Sequence, residues 1–238
     1  MGLKDVAEPT AALRLIPIVE SDEPLIDFLE VCPELRLDAP RFHYRRESYA
    51  REGLVNRLCA ANDRLLRKGY RLSILEGWRA PYIQRRMFHA VEMQMRERFP
   101  HLPEPEFRAV VEQYSAPMDE EVPPPHTTGG AVDLWLIDQK GQTMDLNSPF
   151  EWRDPAGFAL DAPGLSVKAR KHRTLLAEAL IPEGVTNYPS EFWHWSYGDQ
   201  GWAYRGDEKN AIYGATEPAG WRPSPEDDID APLEFVED

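Results

Sequence analysis

Two short segments hold residue types that can bind a metal ion and move protons near neutral pH. "PPPHTTGGAVDLWLID" carries His126 and Asp133, and "PSEFWHWSYGDQGWAY" carries Glu191 and His194 among Trp193, Trp195 and Trp202. On an unbroken strand the seven-residue offset from His126 to Asp133 points the two side chains to opposite faces. A turn at Gly129-Gly130 removes that obstacle and lets imidazole and carboxylate converge. Glu191 and His194, three apart, share a side only on a helical turn or an irregular loop. If His194 joins the first pair, the set is two imidazoles and one carboxylate, the donors with which catalytic zinc sites leave a fourth position for water. Glu191 is then the free acid beside that water. Taken singly, each residue has a commoner role: a hydrogen-bonded histidine among aromatics, a carboxylate capping a turn, a surface acid.

The elements that must position these groups follow from periodicity. "ESYAREGLVNRLCAANDRLLR", from about Glu47 to Arg67, places Leu54, Leu58, Leu65 and Leu66 near a 3.6-residue period, which predicts an amphipathic helix. "YRLSILEGW" (Tyr70 to Trp78) predicts a strand running into a turn at Gly77, and Pro81 is placed to open the next helix. Arg79 therefore sits at a strand-to-helix junction. Seven prolines between Pro100 and Pro125 leave room for one short helix near "EFRAVVEQY" within a long surface excursion. "AVDLWLID" (Ala131 to Asp138) reads as a strand and "VKARKHRTLLAEALI" as a late helix. Helices and strands mix without a regular βαβ rhythm, so the expected class is α+β with an antiparallel sheet.

Bulk composition narrows the partners. Lys and Arg number 27 against 41 Asp and Glu, a formal net charge of −14, which repels phosphate backbones and argues against nucleic acid. The basic runs at 41–47 and 83–88 read as solvated helix faces. No apolar run is long enough for a signal-peptide core or a membrane span, so the expectation is a soluble, cytoplasmic protein with no membrane partner. Cys32 and Cys59 form no CxxC pair. The final fifteen residues contain seven acids and two prolines and are expected to be mobile.

The combined motifs resemble a known family. "HTTGGAVD" fits the HxxGxAxD core of the zinc D-alanyl-D-alanine dipeptidases, "SEFWH" resembles their ExWH segment, and "VNRLCAANDRLLRKGYRLSILEGWRAP" is similar to the helix, strand and turn carrying their arginine. The resemblance spans roughly residues 35 to 205. It implies a zinc-peptidase fold shared with D,D-carboxypeptidases and the hedgehog signalling domain, with a mainly antiparallel sheet flanked by helices. It divides the chain into an N-terminal extension (1–34), a peptidase domain (35–205) and an acidic tail (206–238). By motif, the metal ligands fall on His126, Asp133 and His194, the catalytic glutamate on Glu191 and the oxyanion-stabilising arginine on Arg79. The cofactor implied is Zn2+ and the partner a small dipeptide, with cell-wall metabolism as the setting.

Departures concentrate on substrate recognition. Pro124 stands where the family has a substrate-holding serine, and Leu37 where a tyrosine is expected. "EGWRAP" inserts an alanine before Pro81, and the acid receiving the dipeptide's amino terminus aligns with Glu151, where aspartate is usual. A D,D-carboxypeptidase acting on peptidoglycan stem peptides and a non-catalytic zinc-containing binding domain are the alternatives. Retention of Glu191 and Arg79 argues against the latter, because a structural zinc site requires neither.

Overall fold

After two single-turn helices, α1 (Thr10–Leu13) and α2 (Phe28–Val31), helix α3 (Glu52–Leu66) buries Leu54, Val55, Leu58, Ala61 and Leu65, the stripe that the leucine spacing predicts. In the computed structural model, residues 8–38, 44–112, 114–151 and 154–234 are described. The stripe packs with Leu176 and Leu180 of α6 (Val167–Leu180) on one face of a five-stranded sheet, contributed by Leu72 and Ile74 of β4 (Tyr70–Glu76) and Val132, Leu134 and Leu136 of β5 (Ala131–Asp138). α6 opens on Ser166, whose hydroxyl accepts the Ala169 N–H at 3.0 Å.

The sheet runs β2-β4-β5-β7-β6, with β2 spanning Arg36–Leu37, β6 Thr186–Asn187 and β7 His194–Ser196. Only the short β2–β4 pairing is parallel, so the molecule is α+β with a mainly antiparallel sheet. Helices α4 (Pro81–Arg98) and α5 (Glu104–Val111) pack together through Val91, Met95, Phe107 and Val111, and Met87 and Val91 of α4 line the same cavity as Asp133 on the sheet's second face.

Helix α3 begins five residues later than the periodicity suggests. Tyr49–Arg51 instead form β3, paired antiparallel with β1 (Leu25–Asp27). β4 stops at Glu76 because the next backbone donors leave the ladder: Trp78 N–H goes to Tyr49 O at 2.7 Å. The stretches outside 35–205 are joined to it. Phe28 is fully buried in the main core, Tyr213 is fully buried, and Trp221 stacks on Tyr82. The acidic tail is laid along α4 rather than hanging free: Tyr82 Oη donates to Asp227 at 2.6 Å, Arg86 Nε donates to Ala231 O at 2.6 Å, and Leu233 is buried. Residues 1–7, 41–43 of the basic run and 235–238 of the tail lie outside the described residues. Cys32 and Cys59 are free thiols. Among the described residues no helix is long and apolar enough to cross a membrane.

Candidate metal centre and active site

Strand alternation sets the centre's floor. Sending Val132 and Leu134 into the core turns Asp133 to the opposite face of β5. His194 of β7 is its direct cross-strand partner and shares that face. His126 enters from the 3-10 turn Pro125–Thr128 that precedes β5. That turn ends on Gly129 at φ +70°, where a side chain would collide with Leu25 as well as strain the backbone. The glycine pair is thus the device that returns His126 to Asp133.

His194 Nδ1 lies 3.0 Å and His126 Nε2 3.4 Å from Asp133 Oδ1, and one ligand atom from each residue falls within 4.8 Å of the others. The imidazoles stand edge to face, centroids 5.0 Å apart. His126 Nδ1 is 2.9 Å from Gly77 O, a carbonyl that accepts its N–H, and Nε2 is the ring nitrogen turned toward Asp133. Burial would raise the Asp133 pKa, yet the two imidazoles outweigh it and hold the carboxyl well below its usual range. Two imidazole nitrogens and a carboxylate oxygen converging on one point are a donor set that fits a divalent cation of the zinc type.

Glu191 is brought beside His194 by two consecutive tight turns: Glu191 N–H donates to Tyr188 O and His194 N–H to Glu191 O, each at 3.0 Å. Asn187 Nδ2 locks the arrangement by donating to both Glu191 O and His194 O at 2.9 Å. Both side chains line one cavity of about 610 Å3, together with His126, Asp133 and Arg79.

Arg79 is buried at the junction expected for it. Its backbone N–H donates to His126 O at 3.1 Å, its Nη1 donates to Gln84 Oε1 at 2.7 Å, and its Nη2 lies 3.4 Å from Glu76 Oε2. A bulge in β4 between Ile74 and Glu76 sets Glu76 opposite Asp133. Burial would lower the Arg79 pKa, but Glu76, Tyr44 and Asp133 together raise it, so the charge is permanent. Arg79 Nε is buried without a hydrogen-bond partner among the described residues.

Glu151 is placed elsewhere. It is exposed, its carbonyl accepting from Asn147 Nδ2 at 2.9 Å, and it is not among the residues lining the cavity. Leu37 packs against the main core, and Pro124 lines the cavity. Trp195 is fully buried; Trp193 borders the cavity while packed edge-on against Phe158 at 4.8 Å. Sequence reasoning missed Gln84, Glu76 and Tyr44, whose hydroxyl donates to Glu76 Oε2. Gln84 stands five residues after Arg79 on the facing side of the helix opened by Pro81, a spacing that was open to notice.

The peptidase M15 family model, described as D-ala-D-ala dipeptidase, matches residues 55–211. A D-alanyl-D-alanine dipeptidase of Synechocystis sp. is 32% identical over 111 residues, a match covering 40% of this chain and 45% of the relative. The chain thus spans less than half the length of that curated relative. The family match takes in α3, the Arg79 junction, the β5 turn and the β7 segment, and on that extent the chain belongs to the D-ala-D-ala dipeptidase family of M15 peptidases.

Proposed function

We propose that the chain is a zinc-dependent dipeptidase hydrolysing D-Ala-D-Ala or a related small D-amino-acid dipeptide. The observation that carries this reading is the convergence of three ligand atoms within 4.8 Å in a cavity that Glu191 and Arg79 also line. His126 Nε2, Asp133 and His194 Nδ1 would hold the ion. Bound there, zinc supplies Lewis acidity toward the scissile carbonyl and a water acidic enough to attack near neutral pH.

The chain's own groups do the rest. Glu191 takes the proton of the attacking water and passes it to the departing amine. Arg79 directs permanently charged N–H donors at the carbonyl oxygen as negative charge builds, the kind of contact whose loss costs on the order of a hundredfold in turnover. Cytoplasmic turnover of small cell-wall dipeptides is the setting this reading implies. The cavity volume favours a second reading, a D,D-carboxypeptidase acting on longer stem peptides, since two alanine residues fill little of 610 Å3.

The test is hydrolysis of D-Ala-D-Ala and of an N-blocked stem peptide, before and after chelation and zinc readdition, in wild type and Glu191→Gln. The expected result is zinc-dependent cleavage of the free dipeptide, with the variant retaining its zinc and losing turnover by about a thousandfold. Undiminished hydrolysis by Glu191→Gln refutes the assigned base, and preference for the blocked peptide selects the second reading.

A further inference from the structure

One wall of the cavity is built by residues that neither the metal centre nor the arginine junction uses. Glu8 lines it, with its side chain 11% exposed and its carboxylate paired to Arg205. Tyr188 lines the same cavity, and its ring stands edge-on to His194 at 5.9 Å. The corner is therefore contiguous with the candidate reacting centre. Arg205 is anchored from behind, its Nε donating to Thr186 Oγ1 at 2.9 Å and its Nη2 donating to Ser196 Oγ.

Gly201 makes room for the cluster. A Cβ there would stand 2.9 Å from both Glu8 Oε2 and Arg205 Nη1, and 3.4 Å from Asp199 Oδ1. Two carboxylates and one guanidinium thus meet over a bare Cα, one positive charge short of balance. Asp199 is 2% exposed; its Oδ1 accepts from Trp202 N–H and Ser196 Oγ, while its Oδ2 is buried with no hydrogen-bond partner. Burial raises the Glu8 pKa and Asp199 adds to the rise, against the pull of Arg205. An added cation would relieve both effects.

Of the other acids lining the cavity, Glu112 is exposed to solvent, and Glu76 and Asp119 hold partners through one oxygen or both. Glu76 holds Tyr44 and Arg79, and Asp119 takes Arg14 and the N–H groups of Glu121 and Val122. Glu151 is outside the cavity. A peptide's terminal ammonium brings three donors and one positive charge, the complement of this corner.

We propose that Glu8, with Asp199 beside it, receives the protonated α-amino group of the dipeptide substrate and is a specificity-determining residue for peptides with a free amino terminus. The inference rests on the reading of His126, Asp133 and His194 as the reacting centre. In that arrangement the peptide lies between Tyr188 and Arg205 with its first residue toward the N-terminal segment and its scissile carbonyl toward Asp133.

The experiment compares the zinc-loaded full chain with its Glu8→Gln and Glu8→Asp variants on D-Ala-D-Ala and on N-acetyl-D-Ala-D-Ala. Calorimetric titration of D-Ala-D-Ala into the chelated proteins supplies a second readout. Glu8→Gln is expected to raise KM for the free dipeptide on the order of tenfold to a hundredfold with little change in kcat, because a charged hydrogen bond made in ground and transition states alike is lost. Discrimination between free and acetylated dipeptide shrinks by the same factor, Glu8→Asp recovers part of it, and calorimetry shows the same weakening. An unchanged KM with an unchanged free-to-blocked ratio overturns the proposal. So does a lower KM, which would mean that Glu8 screens Arg205 from the substrate's carboxylate. If wild type hydrolyses neither peptide, the reading of the reacting centre fails, and the calorimetric comparison alone decides the role of Glu8.

Discussion

Gln84 shows how one side chain sets the aim of another. It is 2% exposed, accepts from Arg79 Nη1 and donates through Nε2 to Ala116 O, both at 2.7 Å, coupling the guanidinium to the segment that walls the cavity. Gln84→Leu removes both contacts, and kcat is expected to fall on the order of ten- to a hundredfold through misplacement of Arg79. Gln84→Glu keeps the acceptor and is expected to lose less; steady-state kinetics on both variants checks the order. At this scale the sequence was legible where chemistry demands a residue type at a spacing. His126, Asp133, Glu191 and His194 stood out only jointly, because a glycine turn could bring the first two together and the motifs around all four resemble those of one family. Gln84, Tyr44 and Glu8 were not legible, since a glutamine in a helix, a tyrosine in a basic run and an acid near the start of the chain carry no periodic signature. Glu151 was expected at the site from its neighbours in "SPFEW", but the fold leaves its side chain in solvent.

Among the elements, the segment before β7 depends on α6. Arg173 of that helix is almost wholly buried and donates to Leu146 O and Gly157 O at 2.6 Å and to Asn147 Oδ1 at 3.0 Å, and also to Ala159 O. Its guanidinium lies 3.7 Å over the Phe192 ring, two residues before His194. Arg173→Met fills much of the space but strands several buried carbonyls. The expected loss is about 3 kcal/mol, read as a lower urea midpoint. Strands β4 and β5 and helices α3, α4 and α6 were visible in the sequence because each is long enough to show its period. Strands β1, β3 and β6 were not. Two or three residues cannot establish an alternation, and their partners lie far away in the chain.

For the molecule as a whole, the candidate ligands come from β5, β7 and the turn before β5, so an ion bound there would favour the folded state over the unfolded. Zinc at about a hundred times its dissociation constant is expected to add roughly 2.7 kcal/mol, a rise of about 5–10 °C in Tm. A thermal scan with and without zinc checks this, and Asp133→Ala is expected to abolish the rise. The antiparallel character of the sheet was legible from the absence of a βαβ rhythm, whereas the attachment of the acidic tail was hidden. Composition reports its charge but not that Trp221 and Leu233 pack against α4.

The reciprocal bonds between His126 and the Gly77–Arg79 segment, Nδ1–H to Gly77 O and Arg79 N–H to His126 O, close everything between them into a loop fastened at its base. Parts of that loop line the cavity, but the exposed bend around His101, between α4 and α5, does not. A fluorophore or affinity tag spliced there would ride on the enzyme as a passenger, offering a handle for single-molecule observation that leaves the working parts untouched.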